Sequence, residues 1–298
     1  MNQLAPTESS KQNVSFETLT IVGVGLLGGS VALAAKRSGA ARRIIGVGRN
    51  LARLSEACAA GVIDQAQTDL RQAASESNLI VLATPVDQIV SFVREAATAC
   101  RPGTILTDVG STKAHRCREL AHGLPAGVTF VGAHPIAGSH KQGWQHSHAD
   151  LFDERVCVVT PLSSSDRKAV DAVATFWRRL GLSVFELSPE AHDQALAQTS
   201  HLPHVVASAL ARTLTEENRP FAATGFADTT RIAAGDPALW IPILLDNVDS
   251  ILISLQGYTQ QLADFQDALS RRDVHELQRL WNHGKAIRDS LRIRKTGE

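Results

Sequence analysis

The chain is short of the residues that mark specialised protein classes. Its 298 residues include four cysteines, one methionine and one tyrosine. Cys58, Cys100, Cys117 and Cys157 stand far apart, with no CxxC pair and no histidine at a ligand spacing. That argues against a disulfide scaffold and leaves reduced thiols in a cytoplasmic setting as the expectation. Charge of neither sign dominates: 30 Lys and Arg balance 30 Asp and Glu. The composition therefore lacks the basic footprint of a nucleic-acid partner or an anionic membrane surface. No apolar run approaches the roughly 18 residues that a membrane helix needs. Residues 1–17 are polar, with Lys11 their only basic residue; they do not resemble a signal peptide and read as a disordered leader. His146, His148 and Asp150 fall close together in a polar loop, where solvated side chains are the plainer reading and no metal is expected. Hydrophobic content of 44% with 20% charged residues is ordinary for a globular chain of two domains.

What is present begins with one strand-turn-helix unit. Leu19, Ile21, Val22 and Val24 read as a buried strand, and Gly23-Val24-Gly25-Leu26-Leu27-Gly28 follows at once. Ser30 to Lys36 then reads as a helix, and Arg43 to Val47 closes the βαβ unit. Gly23 permits the tight turn, Gly25 lets backbone approach a pyrophosphate, and Gly28 lets helix pack on strand. Unpaired N–H groups and positive potential at the helix start favour phosphates. A glycine-rich corner without a ligand is the bland alternative; the βαβ setting favours dinucleotide binding.

Strand-like runs continue at Leu79–Ala83, Thr104–Asp108, Thr129–Ala133, Arg155–Thr160 and Ser183–Leu187. Helical periodicity lies between most of them, at Leu51–Ala60, Val86–Thr98, Lys113–Ala121 and Asp166–Leu180. This alternation predicts a Rossmann-type, doubly wound, mainly parallel sheet over residues 18–188. Ligands on such sheets sit at the carboxyl ends of the strands, where Thr84-Pro85, Asp108 to Lys113 and His134 to His140 form polar loops.

After Ser188-Pro189 the strand signal disappears, and residues 189–298 read as an all-α domain. Asp236-Pro237 is a good helix start. From Leu244 the apolar residues Val248, Ile251, Leu255, Tyr258, Leu262, Phe265 and Leu269 alternate steps of four and three. That heptad stripe predicts one helix of about 34 residues, roughly 50 Å long, kinked by Pro242. A stripe so long asks for a partner chain, so a homodimer through the helical domain is expected, with a monomeric bundle as the alternative.

The residue ending the second strand of the βαβ unit separates the pyridine nucleotides. Asp or Glu there holds a ribose 2′-hydroxyl, whereas Arg accommodates a 2′-phosphate. Here the segment is Gly46-Val47-Gly48-Arg49-Asn50, which favours NADP and leaves NAD or dual use open.

Further motifs occur in order: Asp108-Val109-Gly110-Ser111-Thr112-Lys113, His134-Pro135-Ile136-Ala137-Gly138-Ser139, His192-Asp193, Ser200-His201-Leu202-Pro203-His204, and Asp228-Thr229-Thr230-Arg231-Ile232-Ala233. Together with the glycine turn they resemble the prephenate/arogenate dehydrogenase family of tyrosine biosynthesis over nearly the whole chain. The resemblance implies NAD(P)-dependent oxidative decarboxylation of prephenate to 4-hydroxyphenylpyruvate, or of arogenate to tyrosine. It matches His134 to the family's catalytic histidine, and a neutral imidazole suits the acceptance of a hydroxyl proton. Ser111 matches the serine that hydrogen-bonds that imidazole or the substrate C4 oxygen; capping a helix before Lys113 is its structural alternative.

Arg231 matches the arginine that clamps a substrate carboxylate, and its apolar neighbours suggest partial burial with an anion partner. His204 matches the binding histidine, while His201, on the same helical face, contacts cofactor or caps a helix. Trp240 matches a pocket residue, with a core tryptophan as the alternative. Thr84 and Pro85 are expected to line the cofactor site through backbone contacts. Relatives that prefer arogenate often carry an acid at the position of Gln198, so its neutrality tilts the reading towards prephenate. His140, where many relatives carry Glu, is a departure. The rivals are another Rossmann-plus-helical-domain oxidoreductase, of β-hydroxyacid dehydrogenase or imine reductase type, and a non-catalytic nucleotide-sensing dimer. Neither needs His134, Ser111 and Arg231 together.

Overall fold

The computed structural model describes residues 15–138 and 141–291. Residues 1–14 of the expected leader, and the departure at His140, lie outside them. Eight strands form one sheet: β1 Phe16–Val22, β2 Ala41–Val47, β3 Gln65–Gln67, β4 Leu79–Leu82, β5 Ile105–Asp108, β6 Thr129–Ile136, β7 Val156–Thr160 and β8 Ser183–Glu186. The helices of this part are α1 Leu26–Ser38, α2 Leu51–Ala59, α3 Leu70–Glu76, α4 Ile89–Ala97, α5 Ala114–Leu120 and α6 Arg167–Arg179. There follow α7 Pro189–Leu196, α8 Leu202–Arg212, α9 Thr224–Thr230, α10 Pro237–Asp246, α11 Val248–Ser270 and α12 Val274–Ser290.

The strand order is β3-β2-β1-β4-β5-β6-β7-β8, the doubly wound order with its switch between β1 and β4. All pairs are parallel except β6 with β7. Alternate residues of each strand feed opposite cores. Leu19, Ile21, Ile44 and Val81 join one cluster with α1 and α6, while Val22, Ile45, Ile80 and Leu82 join another with α3 and α4. Burial on both faces is why these strands read as continuous apolar runs rather than alternating ones.

Five features differ from the sequence reading. β1 begins at Phe16, so residues 16 and 17 are strand rather than leader. The helix after the glycine turn starts at Leu26, four residues earlier than expected. Strand β3 and helix α3 were not legible: three residues at a sheet edge carry almost no pattern, and Leu70, Ala73 and Ala74 are a short buried stripe. β6 runs on to Ile136, so His134 lies inside a strand, opposite Val158, rather than in a loop after it. Finally, the long helix is two helices. α10 ends at Asp246, and Asn247 leaves helical geometry at φ −113° and ψ 30°. Pro242 stays within α10; the interruption falls where Asn247 turns its side chain to other partners.

Residues up to Val248 and residues from Asp249 form two compact units. The second consists of α11 and α12, joined by a turn in which Arg272 takes a left-handed φ of 53° and Asp273 caps α12 by accepting from Glu276 N at 3.0 Å. Leu252, Ile253, Leu262, Leu269 and Trp281 are exposed there. No single helix among the described residues is long and apolar enough to cross a membrane.

Candidate active site

The glycine turn between β1 and α1 has the shape its residues demand. Gly23 sits at φ 94°, and a Cβ there would lie 2.6 Å from the Ala83 carbonyl oxygen. A Cβ on Gly28 would lie 2.1 Å from the Gly23 carbonyl oxygen and 2.9 Å from Ile21 Cγ2. A Cβ on Gly25 would meet nothing within 4 Å among the described residues, so the space beside this residue is left open by them. Gly25 is also the N-cap of α1 and offers no side chain, which leaves the first-turn N–H groups, at Leu26, Leu27 and Gly28, free for an anion.

Thr84 and Pro85 leave β4 beside this turn. Thr84 Cγ2 is 3.2 Å from the Gly23 Cβ position, and the buried Thr84 Oγ1 has no hydrogen-bond partner among the described residues. An orphaned buried hydroxyl next to an open anion cradle fits a bound dinucleotide. Arg49 is exposed beyond β2, while the Asn50 side chain accepts from Arg53 N at 3.1 Å to cap α2. The segment 141–153 fastens onto the same helix start. Ser147 Oγ bonds the Gly25 and Leu26 carbonyls, each at 3.1 Å, and His148 N donates to Ser30 Oγ at 3.1 Å. His148 pairs with Asp150 at 2.6 Å on the exposed side, and no metal-holding cluster occurs among the described residues.

One strand along, side chains take over. Asp108, at the end of β5, is fully buried and accepts from Ala133 N and Gly110 N, both at 3.0 Å, while Lys113 Nζ pairs with its Oδ2. Asp108 thus ties the β5–α5 loop, through Gly110 and Lys113, to β6, through Ala133. Asp193, from α7, caps α5 from a distance: Oδ1 accepts from Lys113 N and Oδ2 from Ala114 N, each at 2.8 Å. Ser111 is therefore not the cap of α5. Nor does it hydrogen-bond His134, whose Nδ1 meets His192 Nε2 at 2.9 Å. Ser111 is half-buried and carries no hydrogen bond among the described residues.

Burial holds the His134 imidazole far below its ordinary range, and the nearby His192, Lys113 and His201 push the same way. The His192 imidazole is lowered too, chiefly by burial, although its 2.7 Å bond to Asp193 opposes that. Burial raises the Asp193 carboxyl, but the bonds from His192, Ala114 and Lys113 outweigh it and the net direction is down. Both imidazoles are thus neutral at neutral pH and the acid is ionised.

His201 closes a single π-helical turn, Ala197–His201, between α7 and α8, a distortion common at functional sites. Asn247 Nδ2 donates to the Asp193 carbonyl at 2.7 Å and to His201 Nδ1 at 3.1 Å. His201 Nδ1 must then be an acceptor, so Nε2 carries the proton; it is buried and has no partner among the described residues. Burial lowers the His201 pKa to about 4, so this N–H is a neutral donor awaiting an acceptor. Trp240 lies edge-on to His201 at 6.3 Å and stacks on His204 at 3.5 Å, so the two histidines share a face as expected. His204 Nδ1 donates to the Ile232 carbonyl at 3.1 Å, next to Arg231. Burial lowers the His204 imidazole, opposed by that carbonyl and reinforced by Arg231.

Arg231 departs from expectation: it is exposed, with no ion pair among the described residues. Its guanidinium is accordingly available to an anion. Gln198 is exposed and makes no hydrogen bond among the described residues, so this structure does not draw it into the cluster. The sequence reading also gave no role to Asp108, Lys113, His192, Asp193 or Asn247. The first four stand in motifs that were visible, but their partners lie up to 80 residues away; Asn247 sat unmarked inside the heptad pattern.

Two family models match. "Prephenate dehydrogenase, nucleotide-binding domain" covers residues 31–186 and "Prephenate dehydrogenase, dimerization domain" covers residues 188–283. The prephenate dehydrogenase of Bacillus subtilis (strain 168) is 35% identical over 96% of this chain and 79% of that protein. The crystal structure of prephenate dehydrogenase from A. aeolicus, in complex with hydroxyphenyl propionate and NAD+, superposes with a TM-score of 0.87 at 32% identity, over 93% of this chain and 99% of that one. Synechocystis arogenate dehydrogenase gives a TM-score of 0.80 at 29% identity, over 91% of this chain and 99% of that one. By its glycine turn, its buried histidines and these likenesses, the chain belongs to the prephenate dehydrogenase family, the NAD(P)-dependent enzymes that oxidatively decarboxylate prephenate in tyrosine biosynthesis.

Proposed function

We propose that this chain acts on prephenate in preference to arogenate, favours NADP over NAD, and uses His134 as its base. The observation that carries the reading is the His134 imidazole, buried, neutral and joined through Nδ1 to His192. The turn Gly23–Gly28, with Thr84 beside it, would hold NAD(P), which when bound would supply the hydride acceptor for ring C4 of prephenate; loss of CO2 from C1 then makes the ring aromatic. His134 accepts the proton of the C4 hydroxyl as the hydride leaves and returns it to the ring oxygen once CO2 has gone, which restores the free base. Ser111, with no partner of its own, donates to the same oxygen. Arg231 grips a substrate carboxylate, and the unpartnered His201 Nε2–H supplies a second donor. Trp240, stacked on His204, walls the ring-binding side and keeps water from the cluster. Holding a dianion still beside these groups converts much of the barrier into prior binding.

Neutral Gln198 supports prephenate, since it offers no carboxylate to an arogenate ammonium. Arg49 and the absence of an acid after β2 support NADP. We further assign residues 16–188 to the dinucleotide domain and 189–291 to a helical domain through which two copies pair. The apolar side chains exposed on α11 and α12 support that pairing, Ile253 at 70% and Trp281 at 72% exposure among them. The test is nucleotide reduction with each of the four substrate and cofactor combinations. The highest kcat/KM is expected for prephenate with NADP+; a higher value for arogenate, or for NAD+, overturns the corresponding preference.

A further inference from the structure

His134, His192 and Asp193 form a dry row: 8%, 0% and 2% exposed, linked at 2.9 Å and 2.7 Å. Hydrogen-bond direction along it is forced. Asp193 already accepts backbone N–H groups of Lys113 and Ala114 on its two oxygens, and an ionised carboxylate has nothing to donate. His192 Nδ1 must therefore carry the proton that it gives to Asp193 Oδ1. In a neutral imidazole the other nitrogen is then bare, so His192 Nε2 is an acceptor. Facing it at 2.9 Å, His134 Nδ1 has to be the donor. The opposite tautomer of His134 would set two lone pairs against each other in a site without water.

We propose that His192 is a positioning residue that, anchored by Asp193, locks His134 in the Nδ1–H tautomer and keeps Nε2 bare for the substrate's proton. The inference rests on His134 as the base. It gives α7 a part in the chemistry: Ser188 caps this helix, Pro189 opens it, and His192 and Asp193 follow. No proton needs to pass along the row. When His134 Nε2 gains one, the imidazolium stays bonded through Nδ1–H to His192, with the Asp193 carboxylate behind. This is the role of the orienting acid in a Ser-His-Asp triad, where the wrong tautomer costs turnover of order 10⁴-fold. Asp193 also caps α5, so its replacement would mix structural and chemical effects; the His192 side chain has two ring bonds among the described residues and makes the cleaner probe.

The experiment uses the full chain with its substrate and nucleotide. Ring-nitrogen ¹⁵N spectra at neutral pH, with the His134 signals identified by their loss in His134→Gln, report the tautomer directly. In the unaltered chain, Nδ1 of His134 should be protonated and Nε2 bare; a proton on Nε2 overturns the proposal without any variant. His192→Ala should mix the tautomers and lower kcat by about 10²-fold, with nucleotide affinity and substrate KM moving by less than about threefold. His192→Gln, whose Oε1 can accept from Nδ1–H, should recover about tenfold or more of that loss. Equal losses in the Ala and Gln variants, or an unchanged His134 tautomer in His192→Ala, overturn the proposal. Full activity in His134→Gln would instead defeat the reading of His134 as base, a failure the spectra tell apart. Should His192→Ala fail to fold, the unaltered chain's spectrum and the Gln variant still decide.

Discussion

The two sides of this site are built in opposite ways. The nucleotide turn is six consecutive residues, Gly23 to Gly28, and works through backbone: what matters is where side chains are absent. The histidine cluster is built by side chains, drawn from β5, β6, α7 and Asn247, that bond one another and distant backbone groups across 54, 58 and 80 residues of sequence. An anion cradle needs only unpaired N–H groups and room, which a single turn supplies. A base of defined tautomer needs an acceptor in one direction and burial on all others, and no contiguous segment can provide that.

The comparison can be broken most sharply at His134. His134→Gln should lower turnover by about 10²- to 10⁴-fold and leave nucleotide affinity unchanged, measured by steady-state kinetics and nucleotide titration. A matching loss of nucleotide affinity would mean that the two sides are not separable. Next in size is Arg231→Ala, which should raise the prephenate KM by about 10- to 100-fold with little change in kcat, as removal of a charge-assisted carboxylate contact does. An unchanged KM removes Arg231 from the site.

Gly25→Ala sharpens the other side. Its added Cβ meets no atom within 4 Å among the described residues, and the backbone there has φ −106°. The thermal midpoint should therefore hold while nucleotide affinity falls by about tenfold, through a methyl placed where the phosphates approach. Gly28→Ala, with its 2.1 Å clash, should instead lower the thermal midpoint, and equal behaviour of the two variants would refute the division of labour.

The smallest effect is on acid stability. His134, His192, His201 and His204 all have folded-state pKa values below the ordinary histidine value. As pH falls from about 6.5 towards 4, the unfolded chain takes up protons that the folded chain refuses, so stability declines in that window. Each such site adds up to about 1.4 kcal/mol per pH unit. Denaturant unfolding at several pH values should show this slope flatten in His201→Asn, whose parent histidine titrates only at about 4; an unchanged slope would count against burial as its cause. Turnover should stay level through neutral pH and lose its base only below the usual histidine range.

Legibility followed the same division. Seven of the eight strands, the mainly parallel character of the sheet and the glycine turn were readable because each is encoded by neighbours in sequence: an apolar run, strands alternating with helices, a glycine spacing. The residues His134, Ser111, Arg231, His201 and His204 were legible as motifs, but not their contacts. Ser111 looked like a cap or a partner of the imidazole, and Asp193 and His192 hold those places instead. Arg231 looked half-buried and is exposed, since its apolar neighbours lie in the short turn Arg231–Ala234 rather than in a packed helix. The heptad pattern misled because hydrophobic spacing cannot register one residue whose amide bonds elsewhere: Asn247 ends the helix to reach Asp193 and His201.

Sequence alone determined the class of sheet, the nucleotide turn and which side chains were available for chemistry, because propensity, glycine sterics and burial patterns are local or periodic. Tertiary structure alone decided which nitrogen of His134 is bare, which donor is left over on His201 and which carboxylate stands behind the pair. Those are properties of contacts between β5, β6, α7 and Asn247, and they exist only once the sheet has brought those segments together and excluded water from between them.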